Sequence, residues 1–168
     1  IATIKKAAKA IAEGEIIGWM QGSGELGPRA LGNRSILMRP DVLNGKDVIN
    51  QRVKHRENYR PFGCSVLLED VQEHFDCAYS SPYMLYAVPV KNKNLPAITH
   101  IDGTCRIQTV SNGVFKTLLE EVKYLTGSSV VLNTSLNING NPIAAGIKDA
   151  INIKGLDALY IGNKEVCI

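Results

Sequence analysis

Seven apolar runs of four to eight residues recur along the chain: EIIGWM, SILM, GCSVLL, YMLYAVPV, CRIQTV, SVVLNTS and LDALYIG. Each has the length of a strand, and several are rich in β-branched or aromatic residues. Between them fall helical segments of unequal length, so strands and helices interleave irregularly. A single mixed sheet flanked by helices satisfies that pattern, and a strict βα repeat does not. The expected class is therefore α/β (α+β). At 168 residues the chain suits one domain over 1–168, large enough to bury about 70% of its unfolded surface.

The helical segments carry their own signals. Residues 2–13 place Ile4, Ala7, Ala8 and Ile11 on one face, and GKDVINQRVKHRE groups Val48, Ile49 and Val53. EDVQEHFD and IKDAINIKG read as short helices. NGVFKTLLEEVKYLTG is the clearest, with Asn112 as cap, Val114, Leu118, Val122 and Leu125 as the buried face, and Gly127 as the stop.

Composition removes several functional classes. No apolar run approaches the roughly 18 residues of a membrane span, so no membrane partner is expected. The charged opening IATIKKAAKAIAEGE is not a signal peptide, and its abrupt helical start without Met suggests a piece of a longer protein. Cys64, Cys77, Cys105 and Cys167 form no C-x-x-C pair, and His55, His74 and His100 are scattered. Reduced cytoplasmic thiols and no metal site of the chain's own are expected. The net charge of +3 is too small to call for nucleic acid. Its distribution says more: six of the seven arginines lie between residues 29 and 60. Such a cluster is ordinarily a solvated face; here it also suits a pocket for several phosphates, which arginine's fork grips bidentately.

Within that cluster, GSGELGPRALGNRS (22–35) follows the strand EIIGWM and contains G-x-G-x-x-G. A dinucleotide loop needs a helix starting at the third glycine to present its N-terminal dipole to pyrophosphate. Gly32 and Asn33 interrupt any helix begun at Pro28, and Asp47 falls in a helix instead of ending a second strand. The fingerprint is rejected. What remains is a flexible loop bearing Arg29, Arg34 and Ser35.

Two further stretches give that loop a context. VKHRENYRPFG holds Lys54 and Arg56 two apart, with Arg60 before Pro61. VVLNTSLNINGNPI ends a strand in Asn133, Thr134, Ser135 and Asn137. In extended backbone, residues two apart share a face, so each pair is expected to point into one pocket. Basic groups there would neutralise phosphate, while a hydroxyl and an amide would orient it.

Lys-x-Arg followed by Ser-x-Asn resembles the YrdC-like fold, a twisted mixed β-sheet flanked by helices. GELGPRALGNRSIL, NQRVKHRENYRPFG, HIDGTCRIQTV and VVLNTSLNINGNPI together resemble the C-terminal domain of the O-carbamoyltransferases of nodulation-factor and antibiotic biosynthesis. The resemblance implies a two-part enzyme. An N-terminal domain of the actin-like ATPase superfamily would hold a metal and transfer carbamoyl to an acceptor hydroxyl. The present domain would make carbamoyl-adenylate from carbamoyl phosphate and ATP, with Mg2+ bound through the nucleotide phosphates. It implies catalytic roles for Lys54 and Arg56. Nucleotide and carbamoyl-phosphate contacts would come from Arg29, Arg34, Ser35, Arg60, Arg106, Asn133, Ser135 and Asn137. Where the family often has Gly-Arg-Met-Glu, this chain has Gly22, Ser23, Gly24 and Glu25, one basic ligand fewer. The alternatives are a threonylcarbamoyl-adenylate synthase or RNA-binding YrdC-type domain, and a non-catalytic nucleotide-binding module. RNA would ask for more stacking aromatics than the chain supplies.

Overall fold

The computed structural model describes residues 1–166; Cys167 lies outside the described residues. Eight strands form one mixed sheet in the order β4-β5-β3-β6-β2-β1-β7-β8. They are β1 (Ile17–Met20), β2 (Arg34–Met38), β3 (Gly63–Leu67), β4 (Ala87–Pro89), β5 (Thr104–Val110), β6 (Val131–Ser135), β7 (Ala158–Ile161) and β8 (Lys164–Val166). β1 with β7 and β3 with β5 run parallel, and the other neighbours run antiparallel. The glycine loop joins the antiparallel pair β1 and β2 with no helix after Gly27, which removes the dinucleotide fold on topology as well.

Each strand sends alternate residues to opposite faces. On one face Ile36, Met38, Cys64, Val66, Cys105, Ile107 and Leu132 form the larger core. It is covered by Ile49 of α2 (Gly45–Ile49), Ala150 of α5 (Ile147–Ile151), Val71 of the one-turn α3 (Val71–His74), and the segment around Leu95–Ile98. On the other face the apolar residues Leu37, Leu67, Val110 and Val131 meet α1 (Ala2–Ala12) and α4 (Gly113–Thr126). Continuing along that same face, the residues turn polar. Ser35, Ser65, Gln108 and Asn133 are all buried, beneath the glycine loop instead of a helix. The polar half of this face carries the candidate site.

Four local expectations need correction. The buried stripe of α4 is Phe115, Leu118, Leu119 and Val122, while Val114 and Leu125 stay about half exposed. Phe115 moves the stripe by one residue because it packs against Gly32, whose φ of +99° only glycine adopts cheaply. Asn112 starts α4 without a side-chain cap bond; Gly127 does end it, in the left-handed conformation at φ +81°. The expected helix over 45–57 is α-helical only to Ile49 and continues as a π-turn over Asn50–Lys54, ending at His55 with φ +48°. The expected strand over 83–90 is reduced to β4, because Met84 turns inward at φ +54° and leaves Tyr83, Leu85 and Tyr86 outside. The β7–β8 hairpin, turning at Gly162 with φ +57°, was not foreseen.

Candidate functional site

The polar half of the sheet ends in a cleft of about 80 Å³ lined by Arg29, Arg56, Arg106, Asn133, Thr134 and Ser135, among others. Each cation arrives from a different element: Arg29 from the glycine loop, Arg56 from the turn after Lys54, and Arg106 from β5. Gly63, at the start of β3, keeps the floor open. A Cβ there would lie 2.8 Å from the Met84 sulfur and 2.9 Å from the Arg106 carbonyl oxygen.

The electrostatics are those of crowded, partly buried cations. Burial, then the nearby Arg60 and Arg106, hold the Arg56 guanidinium below its ordinary pKa. Burial, then Arg29, do the same for Arg106. Arg56 stacks on Phe62, 4.4 Å from the ring centroid, and donates to the Pro61 carbonyl at 3.2 Å. Buried Arg106 Nε and Asn133 Oδ1 have no hydrogen-bond partner. A native fold rarely leaves such atoms unpaired, and both residues line the cleft; Trp19 Nε1 and Arg34 Nε, away from it, are unpaired as well.

Behind the cleft wall, Lys54 is only 3% exposed. Its ammonium donates to the Ser135 carbonyl at 2.8 Å, Asn137 Oδ1 at 2.7 Å, the Asn137 carbonyl at 3.0 Å and Ser135 Oγ at 3.3 Å. Ser135 Oγ in turn donates to Asn137 Oδ1 at 2.6 Å. Lys54 therefore joins the π-turn to the end of β6. Burial, with Arg56 adding repulsion, pushes its pKa down to about 7. The two basic residues do not share a face by extension, as the sequence spacing implied. The left-handed His55 between them turns Lys54 behind the wall and Arg56 into the cleft.

The remaining sequence candidates lie around this centre. Arg34 is buried and donates to the backbone carbonyls of Gln21, Asn33 and Gly22. Ser35 Oγ accepts from the Gly32 N–H at 3.1 Å. Both fasten the glycine loop and neither lines the cleft. Arg60 pairs with Glu57 at 3.1 Å on the rim. Cys105, beside Arg106, is buried with its sulfur 3.5 Å from that of Cys64, and both are free thiols. The described residues contain no group of three or more His, Cys, Asp or Glu arranged to hold a metal.

The model of the family described as carbamoyltransferase C-terminus matches residues 8–167. The chain belongs to that family. Nodulation protein NolNO of Sinorhizobium fredii is 45% identical over 94% of this chain and 25% of its own length. The 3'-hydroxymethylcephem-O-carbamoyltransferase of Amycolatopsis lactamdurans is 37% identical over 92% of this chain and 31% of its own. The carbamoyltransferase C-terminal domain thus spans about a quarter to a third of these relatives. Among solved structures, full-length HypF in its phosphate- and nucleotide-bound form superimposes with a TM-score of 0.71, at 19% identity over 99% of this chain and 26% of that one. The fold is the YrdC-like one.

Within this carbamoyltransferase domain, Glu25 organises the site unnoticed from sequence. Its Oε1 accepts the backbone N–H groups of Leu31, Asn33 and Arg34 at 2.9, 2.9 and 3.1 Å. One carboxylate thereby closes the loop that presents Arg29. The available signal was its position, the sole acid in a stretch of glycines and arginines. Glu25→Ala leaves three N–H groups to water and frees Arg29, so pyrophosphate affinity should fall about tenfold, or ~1.4 kcal/mol. Titration calorimetry on the variant checks this, and an unchanged affinity shows the loop holds without the carboxylate.

Proposed function

We propose that this domain forms carbamoyl-adenylate from carbamoyl phosphate and ATP, for transfer to a hydroxyl acceptor elsewhere in the intact protein. The observation that carries the reading is the cleft itself: three arginines converge with two unpaired buried polar atoms and no carboxylate on the wall. In the proposed sequence, water releases carbamate and inorganic phosphate from carbamoyl phosphate. A carbamate oxygen then bonds to the α-phosphorus of ATP while the bond to the bridging oxygen breaks and pyrophosphate leaves. Both steps build charge on phosphoryl oxygens. They ask for positioning and neutralisation more than for a protein nucleophile. Arg29, Arg56 and Arg106 supply the neutralisation. Asn133 and Ser135 supply oriented polar groups, and Lys54 holds Ser135 and Asn137 in place. Mg2+, where present, would be held by the nucleotide phosphates and would add to the charge neutralisation that the three arginines supply.

The mixed anhydride product would hydrolyse in open water, so the intact protein must enclose it. An apolar surface beside the cleft supports a covering domain. Tyr79, Tyr83, Leu85 and Tyr86 are all about half exposed or more, on the segment whose Met84 lines the cleft. The N-terminal part of the longer relatives fits that role, and the acceptor pocket belongs there.

The test is the half-reaction. With ATP, carbamoyl phosphate and Mg2+, this chain should release pyrophosphate only when both substrates are present, and should carbamoylate no added sugar alcohol. ATP binding without any pyrophosphate release would leave a binding module in place of the synthetase. Sugar carbamoylation by the chain alone would place the acceptor site here.

A further inference from the structure

HIDGTCRIQTV supplies Arg106 to the cleft, but residues 100–104 do not line it. They form a tight turn leading into β5. The His100 N–H donates to the Thr104 carbonyl at 2.7 Å, and the Gly103 N–H donates to the His100 carbonyl at 3.0 Å, with Gly103 at φ +78°. Asp102 Oδ1 accepts the Thr104 N–H at 3.0 Å and the Thr104 hydroxyl at 2.7 Å. Backbone and Asp102 thus close the turn, and the His100 ring reaches beyond it. Its Nε2 lies 3.0 Å from the Phe62 carbonyl oxygen. A carbonyl only accepts, so Nε2 carries a hydrogen and donates it. We propose that His100 is a positioning residue: by holding the Phe62 carbonyl it aims the Arg56 guanidinium at the phosphate, a role that rests on the phosphate reading above.

The chain of contacts is short. Arg56 is a long side chain that no neighbouring acid holds, since Glu57 pairs with Arg60 at 3.1 Å. Three contacts aim it. The guanidinium rests on the Phe62 ring at 4.4 Å from the centroid, donates to the Pro61 carbonyl at 3.2 Å, and donates from Nε to Asn50 Oδ1 at a long 3.4 Å. Two of the three belong to residues 61 and 62. Phe62 is itself 1% exposed, and Pro61, Phe62 and Gly63 all line the cleft. A cation over a ring face is held by a weak, sliding attraction, so its aim is only as fixed as the ring. The His100 bond fixes the peptide plane between Phe62 and Gly63, and with it the ring on one side and the open floor on the other. Groups that bind through geometry need such support, because a small displacement of the supporting residue loosens the site. His100 does this from outside the cleft, touching neither Arg56 nor the ligand.

The experiment separates the reach of Nε2 from the bulk of the ring. A Gln amide extends to where Nε2 stands and an Asn amide stops short of it. Inorganic pyrophosphate is titrated calorimetrically against the wild type, His100→Asn, His100→Gln, Arg56→Ala and the double variant Arg56→Ala/His100→Asn. His100→Asn should weaken pyrophosphate about tenfold, the scale of one misplaced charge-assisted bond. His100→Gln should restore the wild-type affinity. In the Arg56→Ala background, His100→Asn should cost no more than about a further twofold, because residues that act as one unit are not additive. A merely structural role would cost the same in both backgrounds. Where His100→Asn does not fold, Phe62→Leu takes its place: it removes the ring and keeps the carbonyl, and its loss too should vanish in the Arg56→Ala background. Wild-type affinity in His100→Asn or in Phe62→Leu, a full loss that persists without Arg56, or a folded His100→Gln as weak as His100→Asn each overturns the positioning role while wild-type pyrophosphate binding keeps the phosphate cleft. A wild-type chain that does not bind pyrophosphate overturns the phosphate reading and this role with it.

Discussion

Arg106→Ala should weaken both pyrophosphate and ATP by about 10- to 100-fold while leaving the melting temperature unchanged or slightly raised. A hydrogen bond to a charged group is worth about 1.5–3 kcal/mol, and Arg106 sits where several converge. The two expectations have one cause. In the free protein Arg106 is half-buried, its pKa depressed by desolvation and by Arg29, with Nε unpaired. It costs the apo fold something and returns it only when an anion arrives. Removing it relieves that strain while removing the binding. Isothermal titration and thermal unfolding of the same preparation decide the matter. A variant that melts markedly lower but binds pyrophosphate normally makes Arg106 a structural residue of β5.

How far the sequence reaches can be judged at this same site. Arg29, Arg56, Arg106, Asn133 and Ser135 were all named from motif and resemblance, and the fold gathers them although they span residues 29 to 135. The mixed sheet was legible because apolar runs record burial, which is a local property of each residue type. Three features were not legible, and each depends on a contact that the pattern of residue types does not record. The π-turn that aims Lys54 and Arg56 apart depends on the oxygens of Ser135 and Asn137 accepting the ammonium, 81 or more residues away. The break in the strand at Met84 depends on a side chain filling space that Gly63 leaves. The roles of Arg34 and Glu25 depend on where the glycine loop's own N–H and carbonyl groups point, and backbone direction has no signature in a string of glycines. Ser23, where the family often has Arg, does not line the cleft, and nothing in the structure explains the change.

Lys54 makes a second large effect, one of pH. Its folded-state pKa of about 7 lies below its ordinary value of 10.5. Burial contributes most of that depression, and the neighbouring Arg56 adds to it. A phosphate seated against Arg56 cancels that repulsion and favours the ammonium, so binding takes up a proton. Affinity for ATP should therefore fall as pH rises above 7, until the pH passes the pKa Lys54 takes in the complex. Between pH 7.5 and 9.5 the phosphates are already ionised, since a phosphate's second pKa is about 6, so the ligand does not supply this slope. Fold stability must run the other way. Between pH 7 and 10.5 the unfolded chain keeps the proton that the folded chain has lost, and stability rises wherever the unfolded state binds more protons. Over the same range the protein should thus become harder to unfold with urea and worse at holding ATP. General alkaline damage would lower both together. Lys54→Met removes the titrating group: the affinity slope should flatten while Arg106 and Arg56 still bind phosphate. A slope that persists in Lys54→Met assigns the proton to another group.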